Sequence, residues 1–400
     1  MDSLTQITLG AAVGEAVLGK KIGNRALLWG AVGGTIPDLD VLSNFFMSEV
    51  DSLAFHRAIS HSIFFAIIGS ITIGWVIKNF YKSDYYRYLA FLGWAAFTGG
   101  ILLLINIVLG KQSLHLVSFG LSVALFIYLI FRLARSYIFN SPSLPSATTR
   151  EWQSLFFWTI FTHPLLDCFT TYGTQLFQPF SDYRVSFNTI SVADPIYTVP
   201  FLLCVIICSF YTRNSPRRKW INYTGLIISS LYLIFTVFNK LRIDNTFKNS
   251  LENQGIAFDR YMTTPTILNN ILWQGIAQKG DTYYMGSYSL FDTKEITFAK
   301  IDQNENVLTN GEDDRTVKIL KWFTNGYYNV ITRKDGKLQI NDLRYGSLNG
   351  DYINEDSYVF RFPLETLDDG SYKVSESDGG PPKGSEKEMI TTLIQRIKGN

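Results

Sequence analysis

The sequence predicts an α-helical polytopic membrane bundle followed by a smaller, mostly antiparallel β soluble domain with a short C-terminal helix. Of its 70 charged residues, 27 lie in residues 1–239 and 43 in residues 240–400. These are about 11% and about 27% of the two parts, whereas soluble domains contain about 25%. Several apolar runs in the first part approach or reach the length that a spanning helix needs. A single soluble globule is therefore excluded. A net charge of +2 without a basic stripe argues against a nucleic-acid-binding protein.

The candidate spanning segments differ in length. Three runs are long enough to cross a bilayer alone: 89–109, 114–133 and 220–239. Three more are shorter or carry polar groups: 61–77, 152–172 and 195–211. An N-terminal pair, about 4–18 and 26–37, is too short to span alone, so we expect a packed helical hairpin or two re-entrant helices. Its glycines, at 10, 14, 30, 33 and 34, are expected to allow close helix packing.

The loops predict an orientation and three domains. Lys and Arg concentrate in loops near 78–87, 132–150 and 213–219, which the positive-inside rule assigns to the cytoplasm. The predicted domains are a helical membrane domain (1–240) with a candidate metal site, an extracytoplasmic β-rich domain (241–375), and a linker with a short helix (376–400).

Two turn signals support the β-rich domain. Lys334-Asp335-Gly336-Lys337 separates two alternating runs, and Asp369-Gly370 separates two more. Such dipeptides between alternating runs predict antiparallel hairpins. The final helix is expected at 386–398.

Three clusters of ionisable residues lie within the apolar part. They are Pro37-Asp38-Leu39-Asp40, His56-Arg57-Ala58-Ile59-Ser60-His61 and Thr162-His163-Pro164-Leu165-Leu166-Asp167. Ionisable groups in membrane-embedded sequence are costly and indicate function by default, although interhelical hydrogen bonds are an alternative interpretation.

The spacing favours a metal site. His163 and Asp167 are four residues apart and share a helix face. His56 and His61 are five apart and cannot converge on one helix, unless a helix begins between them with Ser60 as its N-cap. Mixed imidazole and carboxylate ligands suit Zn, Mn or Fe, and the number of ligands allows two ions.

Three further charged residues are catalytic candidates. Glu15 lies in the apolar first helix and could be a further ligand or a general base. Arg57 and Arg184 could bind a phosphate or pair with neighbouring acids. Asp194 precedes Pro195 and is best read as a helix N-cap.

Four motifs together resemble one known family. The four motifs are similar in content and order to the YdjM-like family of membrane-bound metal-dependent hydrolases: MDSLTQITLGAAVGEAVLG, GAVGGTIPDLDVL, HRAISHS and THPLLDCFTTYGTQLFQPFS. A looser resemblance is to zinc-dependent phospholipase C proteins. The resemblance implies a multi-pass protein of the bacterial inner membrane. It also implies metal-ligand roles for Asp38, Asp40, His56, His61, His163 and Asp167.

We therefore expect an integral membrane hydrolase whose metal activates a water against a phosphoester or ester of a lipid or lipid-linked substrate. The expected partners are membrane lipids. One alternative is a transporter, or a proton or metal-ion relay, that uses the same buried His and Asp residues. Another is an interaction protein in which the metal serves structure only. These alternatives stay open at this stage.

Overall fold

A computed structural model of the chain describes residues 1–109, 115–140, 143–309, 313–347, 352, 354–375 and 386–399. The helical part contains α1 Ser3–Ile22, α2 Asn24–Thr35, α3 Glu49–Phe55, α4 Ile63–Lys82, α5 Tyr86–Leu109, α6 His115–Ala134, α7 Thr149–Asp167, α8 Pro195–Ser209 and α9 Pro216–Asn253. Two 3-10 segments, Pro37–Phe45 and Ile59–His61, lie between helices, and a π-helical turn, Arg135–Phe139, follows α6. The predicted fold class is confirmed.

Among the described residues, four helices are long and apolar enough to cross a membrane: Ile63–Lys82, Tyr86–Ile107, Ser118–Phe139 and Pro216–Asn253. They match four of the predicted segments. Of the other two, α8 is apolar but shorter, and α7 is not among the candidate spans. Helix α9 has 38 residues, or about 57 Å, which exceeds the roughly 30 Å hydrocarbon core. The boundary predicted at residue 240 falls inside this continuous helix.

The chain divides into two compact units, one of residues 1–70 and 155–400 and the other of residues 71–154. The second unit contains α5, α6 and most of α4, and in it Tyr81 stacks on Trp152 with ring centroids 5.7 Å apart. The first unit contains most of α7, the remaining helices and the β-rich region, and it holds all the candidate site residues discussed below.

The N-terminal hairpin packs through glycine, as predicted. Helix α1 is longer than expected and reaches Ile22. A Cβ atom added to Gly30 would lie 2.3 Å from the carbonyl oxygen of Gly10, and one added to Gly14 would lie 2.4 Å from that of Ala26. Because these neighbours are backbone atoms, any side chain there would force α1 and α2 apart.

The β-rich region consists of two four-stranded antiparallel sheets in sequential order. The first contains β1 Arg260–Pro265, β2 Leu272–Lys279, β3 Thr282–Ser289 and β4 Ala299–Asp302. The second contains β5 Tyr328–Thr332, β6 Leu338–Ser347, β7 Tyr358–Thr366 and β8 Tyr372–Val374. Both predicted hairpins are present, with Val330 opposite Ile340 in one and Glu365 opposite Lys373 in the other.

Two more helices accompany the sheets. Helix α10, Arg315–Phe323, was not predicted; Asp314 caps its first turn by accepting a hydrogen bond from the backbone N–H of Val317 at 2.9 Å. The final helix, α11, spans Glu386–Ile397 as expected, and the predicted linker at 376–385 lies outside the described residues. The aromatic ring of Phe323, at the end of α10, lies 5.2 Å from that of Tyr172, so the second sheet region packs against the loop that follows α7.

Candidate metal centre

Four side chains from three separate segments converge in the first unit: Asp38, His61, His163 and Asp167. The Nε2 atoms of His61 and His163 are 3.1 Å apart. Asp38 Oδ1 lies 3.4 Å from His61 Nε2 and 3.3 Å from His163 Nε2. Asp167 Oδ2 lies 3.4 Å and 3.3 Å from the same two nitrogens. Four ligand atoms therefore surround one point.

These separations fit a small divalent ion. Zinc binds imidazole nitrogen at about 2.0–2.1 Å and carboxylate oxygen at about 2.0–2.2 Å, so neighbouring tetrahedral ligands lie about 3.3–3.5 Å apart. Five of the six separations among the four atoms are 3.1–3.4 Å, and all four atoms lie within 4.8 Å of one another. A Zn²⁺-sized ion thus fits the donor set with little movement.

Local sequence explains each ligand position. Pro37 begins the 3-10 segment that carries Asp38, since proline is favoured at the first helical position. Arg57 adopts a left-handed conformation, φ 60°, which reverses the chain after α3 and lets His61 turn inward. His163 and Asp167 lie one turn apart on α7, which continues through Pro164. The predicted shared face of these last two residues is observed.

Hydrogen bonds outside the four ligands orient both imidazoles. His163 Nδ1 donates to the carbonyl oxygen of Gly34 at 2.6 Å, which leaves Nε2 as the free acceptor. His61 Nδ1 lies 3.0 Å from Ser60 Oγ and 3.3 Å from Asp40 Oδ2. Carboxylates and carbonyls in this position fix the tautomer and ring orientation of metal-binding histidines.

The two oxygens of Asp167 have different surroundings. Oδ1 accepts a hydrogen bond from Gln6 Nε2 at 3.0 Å, contacts the buried amino group of Met1, and lies 3.4 Å from Arg57 Nη2. Oδ2, which faces the two histidines, is buried and has no hydrogen-bond donor. An orphaned buried carboxylate oxygen is costly, and a cation at the centre of the four ligands would pair with it.

Electrostatics also match a cation site. Burial disfavours the charged form of Asp38, but hydrogen bonds from His163 and His61 hold the pKa of its carboxyl well below its usual value. Burial likewise opposes protonation of His61, yet the nearby carboxylates of Asp167, Asp38 and Asp40 raise the pKa of His61 to about 9.

Two predicted ligands lie outside the group of four. Asp40 accepts hydrogen bonds from the backbone N–H of Arg57 and from Ser60 Oγ, both at 2.9 Å, and lies 2.8 Å from His56 Nδ1. Asp40 thereby orients His56 and His61 without itself belonging to the group of four ligands. His56 is partly exposed and contacts Asp40 rather than the four ligand atoms. Ser60 is not the N-cap of α4, because Ser62 Oγ accepts the capping bond from Phe65 N.

Glu15 lies away from the cluster. It forms a bidentate ion pair with Arg218, whose Nε and Nη2 donate to its two carboxylate oxygens at 2.6 Å each. Glu15 is nine residues further along α1 than Gln6, or about 13 Å, and Gln6 is the residue that contacts Asp167. The role of Glu15 as a ligand or general base stays a prediction, and in the structure its carboxylate pairs with Arg218 instead of contacting the four ligands.

The two predicted phosphate-binding arginines are close together. Their guanidinium carbons lie over the ring of Tyr172, at 4.8 Å for Arg57 and 4.7 Å for Arg184. Arg57 also contacts Asp167, whereas Arg184 donates to the carbonyl oxygen of Tyr172 at 2.7 Å. Asp194 is the N-cap of α8, as predicted, and accepts from Ile196 N at 3.0 Å.

Sequence reasoning missed Gln6 and the carbonyl of Gly34. Gln6 is a polar residue in an otherwise apolar helix, and that signal was available. The role of Gly34 could not be predicted from the sequence, because any residue has a backbone carbonyl.

Comparison with known proteins identifies one relative and one family. The protein described as "Uncharacterized protein YfhP" of Bacillus subtilis (strain 168) is 23% identical over 200 residues, which cover 48% of the present chain and 59% of that relative. The chain thus spans about three fifths of the relative's length. No solved structure matches. Residues 1–243 match the family described as YdjM inner membrane protein. Because that match covers more than half of the chain and includes all four converging ligands, the protein belongs to the YdjM inner membrane protein family.

Proposed function

We propose that this protein is an integral membrane metal-dependent hydrolase. Asp38, His61, His163 and Asp167 hold one divalent transition metal, zinc first, with Mn or Fe as alternatives. The observation that carries the proposal is the convergence of four donor atoms within 4.8 Å of one another, one of them a buried carboxylate oxygen without a hydrogen-bond donor. When bound, such an ion supplies an activated water and polarises a phosphoryl or ester oxygen.

The chain's own residues prepare the site for that chemistry. Gly34 and Asp40 fix the two imidazoles, and the Met1 amine, Gln6 and Arg57 hold the outer oxygen of Asp167. The Asp38 side chain is 19% exposed, whereas the other three ligand side chains are fully buried. Substrate and water therefore approach from the side of Asp38. One ion suffices for the four ligands, and a second would require Asp40 and His56 to rearrange.

A lipid or lipid-linked substrate is supported by exposed apolar side chains on the segment that carries Asp38 and on the loop after α7. The 3-10 segment that begins with Asp38 and Asp40 continues to Phe45 and Phe46, which are 79% and 87% exposed. Phe180, in the loop after α7, is 85% exposed and its ring lies 6.5 Å from that of Phe64 at the start of α4. Exposed aromatic residues beside a spanning helix are typical of the membrane interface.

The proposed orientation places the metal site and the β-rich region outside the cytoplasm. The direction of α1 supports this orientation. Gln6, near the start of this helix, contacts Asp167, and at its other end the carbonyl of Lys21 accepts a hydrogen bond from Arg213 Nη1 at 2.9 Å. The basic residues that follow α8 therefore cluster about 30 Å away from the metal site, and the positive-inside rule assigns that end to the cytoplasm.

The test is metal content by mass spectrometry on detergent-purified protein. We expect about one equivalent of a transition metal, lost in His163→Ala. His56→Ala is the matched control, since this histidine contacts Asp40 but lies outside the group of four, and it should keep its metal. A screen of phosphodiester and ester lipids then follows with the same three proteins. Equal metal content in wild type and His163→Ala would overturn the site, and bound metal without turnover on any lipid would favour the ion-relay alternative.

A further inference from the structure

A second group of charged side chains adjoins the metal site. Three arginines from distant parts of the chain surround Tyr172 and its neighbour Phe323. Arg57 and Arg184 lie over the Tyr172 ring, and Arg344 on β6 lies over the Phe323 ring at 5.0 Å. The Tyr172 and Phe323 rings are themselves 5.2 Å apart. The β-rich region thus contributes a cation to a cluster that begins at the metal ligands.

This arginine cluster, defined as Arg57, Arg184 and Arg344, lacks matching negative charge. Arg344 is neutralised by Asp342, with Nη2 donating at 2.6 Å. Arg57 shares Asp167 with the Met1 amine and with the metal site. Arg184 donates to two backbone carbonyls, at 2.7 Å and 3.3 Å. Within the described part of the chain no carboxylate lies within ion-pair distance of Arg184.

Unused hydrogen-bond donors lie in the same place. Arg57 Nε, Arg184 Nη1 and the hydroxyl of Tyr345 are all buried and have no partner in the described structure. Arg57 as a whole is only 4% exposed. Burial and the positive charges of Arg344 and Arg57 lower the pKa of Arg184 to about 10. Buried donors of this kind are normally satisfied, so their number and charge indicate a missing anionic acceptor.

We propose that the arginine cluster, with the Tyr345 hydroxyl, binds the phosphate group of the substrate. The inference rests on the proposed function and deepens it, because it selects a phosphate ester over a carboxylic ester. Guanidinium groups bind phosphate oxygens bidentately. Arg57 belongs to the cluster and also contacts Asp167. A phosphate bound by the cluster therefore lies next to the metal ligands. The β-rich region is then part of the substrate site, through Arg344 and Tyr345.

The test measures phosphate binding and metal content separately. Full-length protein in detergent is titrated calorimetrically with inorganic phosphate and, in a second arm, with phosphatidic acid in mixed micelles. We expect Arg184→Gln to weaken binding at least tenfold while its metal content stays that of wild type. Arg260→Gln is the matched control, because Arg260 also stacks on a tyrosine ring, Tyr327 at 4.1 Å, and donates to backbone carbonyls. It should bind as wild type does.

Each outcome has a separate meaning. Wild type that binds neither probe, or Arg184→Gln that binds as tightly as wild type, overturns the inference while the metal site stands. If the purified protein contains no metal but binds phosphate in a way that depends on Arg184, the phosphate site is supported and the proposed hydrolase function is refuted. Binding of phosphatidic acid but not inorganic phosphate identifies a lipid headgroup as the ligand, and the reverse identifies free phosphate. Arg344→Lys, which keeps the charge near Asp342, tests the contribution of the β-rich region and should weaken binding while its metal content stays that of wild type.

Discussion

The buried ion pair between Glu15 and Arg218 is predicted to be a stability element, and replacing one partner tests this. Arg218 is 2% exposed and also donates to Asn24 Oδ1 at 2.6 Å and to the Tyr211 carbonyl at 2.7 Å. In Glu15→Leu those neutral acceptors remain, but the carboxylate that accepts two hydrogen bonds of 2.6 Å from Arg218 is lost. Removing one partner of a buried pair costs about 3–5 kcal/mol. We expect the free energy of unfolding to fall by that amount.

The assay is equilibrium unfolding in mixed micelles for wild type, Glu15→Leu, Arg218→Met and the double variant. Replacing both charges with apolar residues of similar size is often neutral, so the double variant should regain at least about 2 kcal/mol relative to the sum of the single changes. Metal content should equal that of wild type in the double variant. Single variants within about 1 kcal/mol of wild type would refute the reasoning. Loss of metal from a stable double variant would return Glu15 to the metal site.

Two further predictions concern the helical hairpin and the histidine that Asp40 orients. Gly30→Ala should destabilise the protein by about 1–3 kcal/mol, because the added Cβ meets the backbone of α1. The control is Gly93→Ala on α5, where a Cβ meets nothing within 4 Å. It should not lower the melting temperature, since alanine is a better helix former than glycine. Equal melts would contradict the glycine packing. Asp40→Asn should weaken zinc affinity about 10- to 100-fold, since outer carboxylates orient ligand histidines, and competition titration against a chelating dye measures this. Unchanged affinity would mean that His61 does not depend on Asp40.

Much of this fold was predictable because its signals are local. Long uncharged runs fix the spanning helices, and the Asp335-Gly336 and Asp369-Gly370 turns fix two hairpins, since both depend on neighbouring residues only. Helix α10 was missed although Asp314 marks its first turn, because nine residues with several charges are a weak signal within a strand-rich region.

The candidate site divides in the same way. The sequence alone determined that His163 and Asp167 share a helix face, because four residues make one turn. It also determined that the acids of the Pro37 segment and the histidines near residue 60 stand out against apolar surroundings. These are properties of spacing and composition.

Only the tertiary structure decided which of these residues meet. Asp40 and Asp38 are two residues apart, yet one orients a histidine and the other joins the ligand group. Glu15 resembles a catalytic acid in sequence, but a partner 203 residues away neutralises it. Arg344 lies in a region that composition separates from the membrane part, and packing brings it to Thr171 and the loop after α7. The physical reason is common to all three: an ionisable group takes its role from the charges and donors around it, and folding brings those from distant parts of the chain.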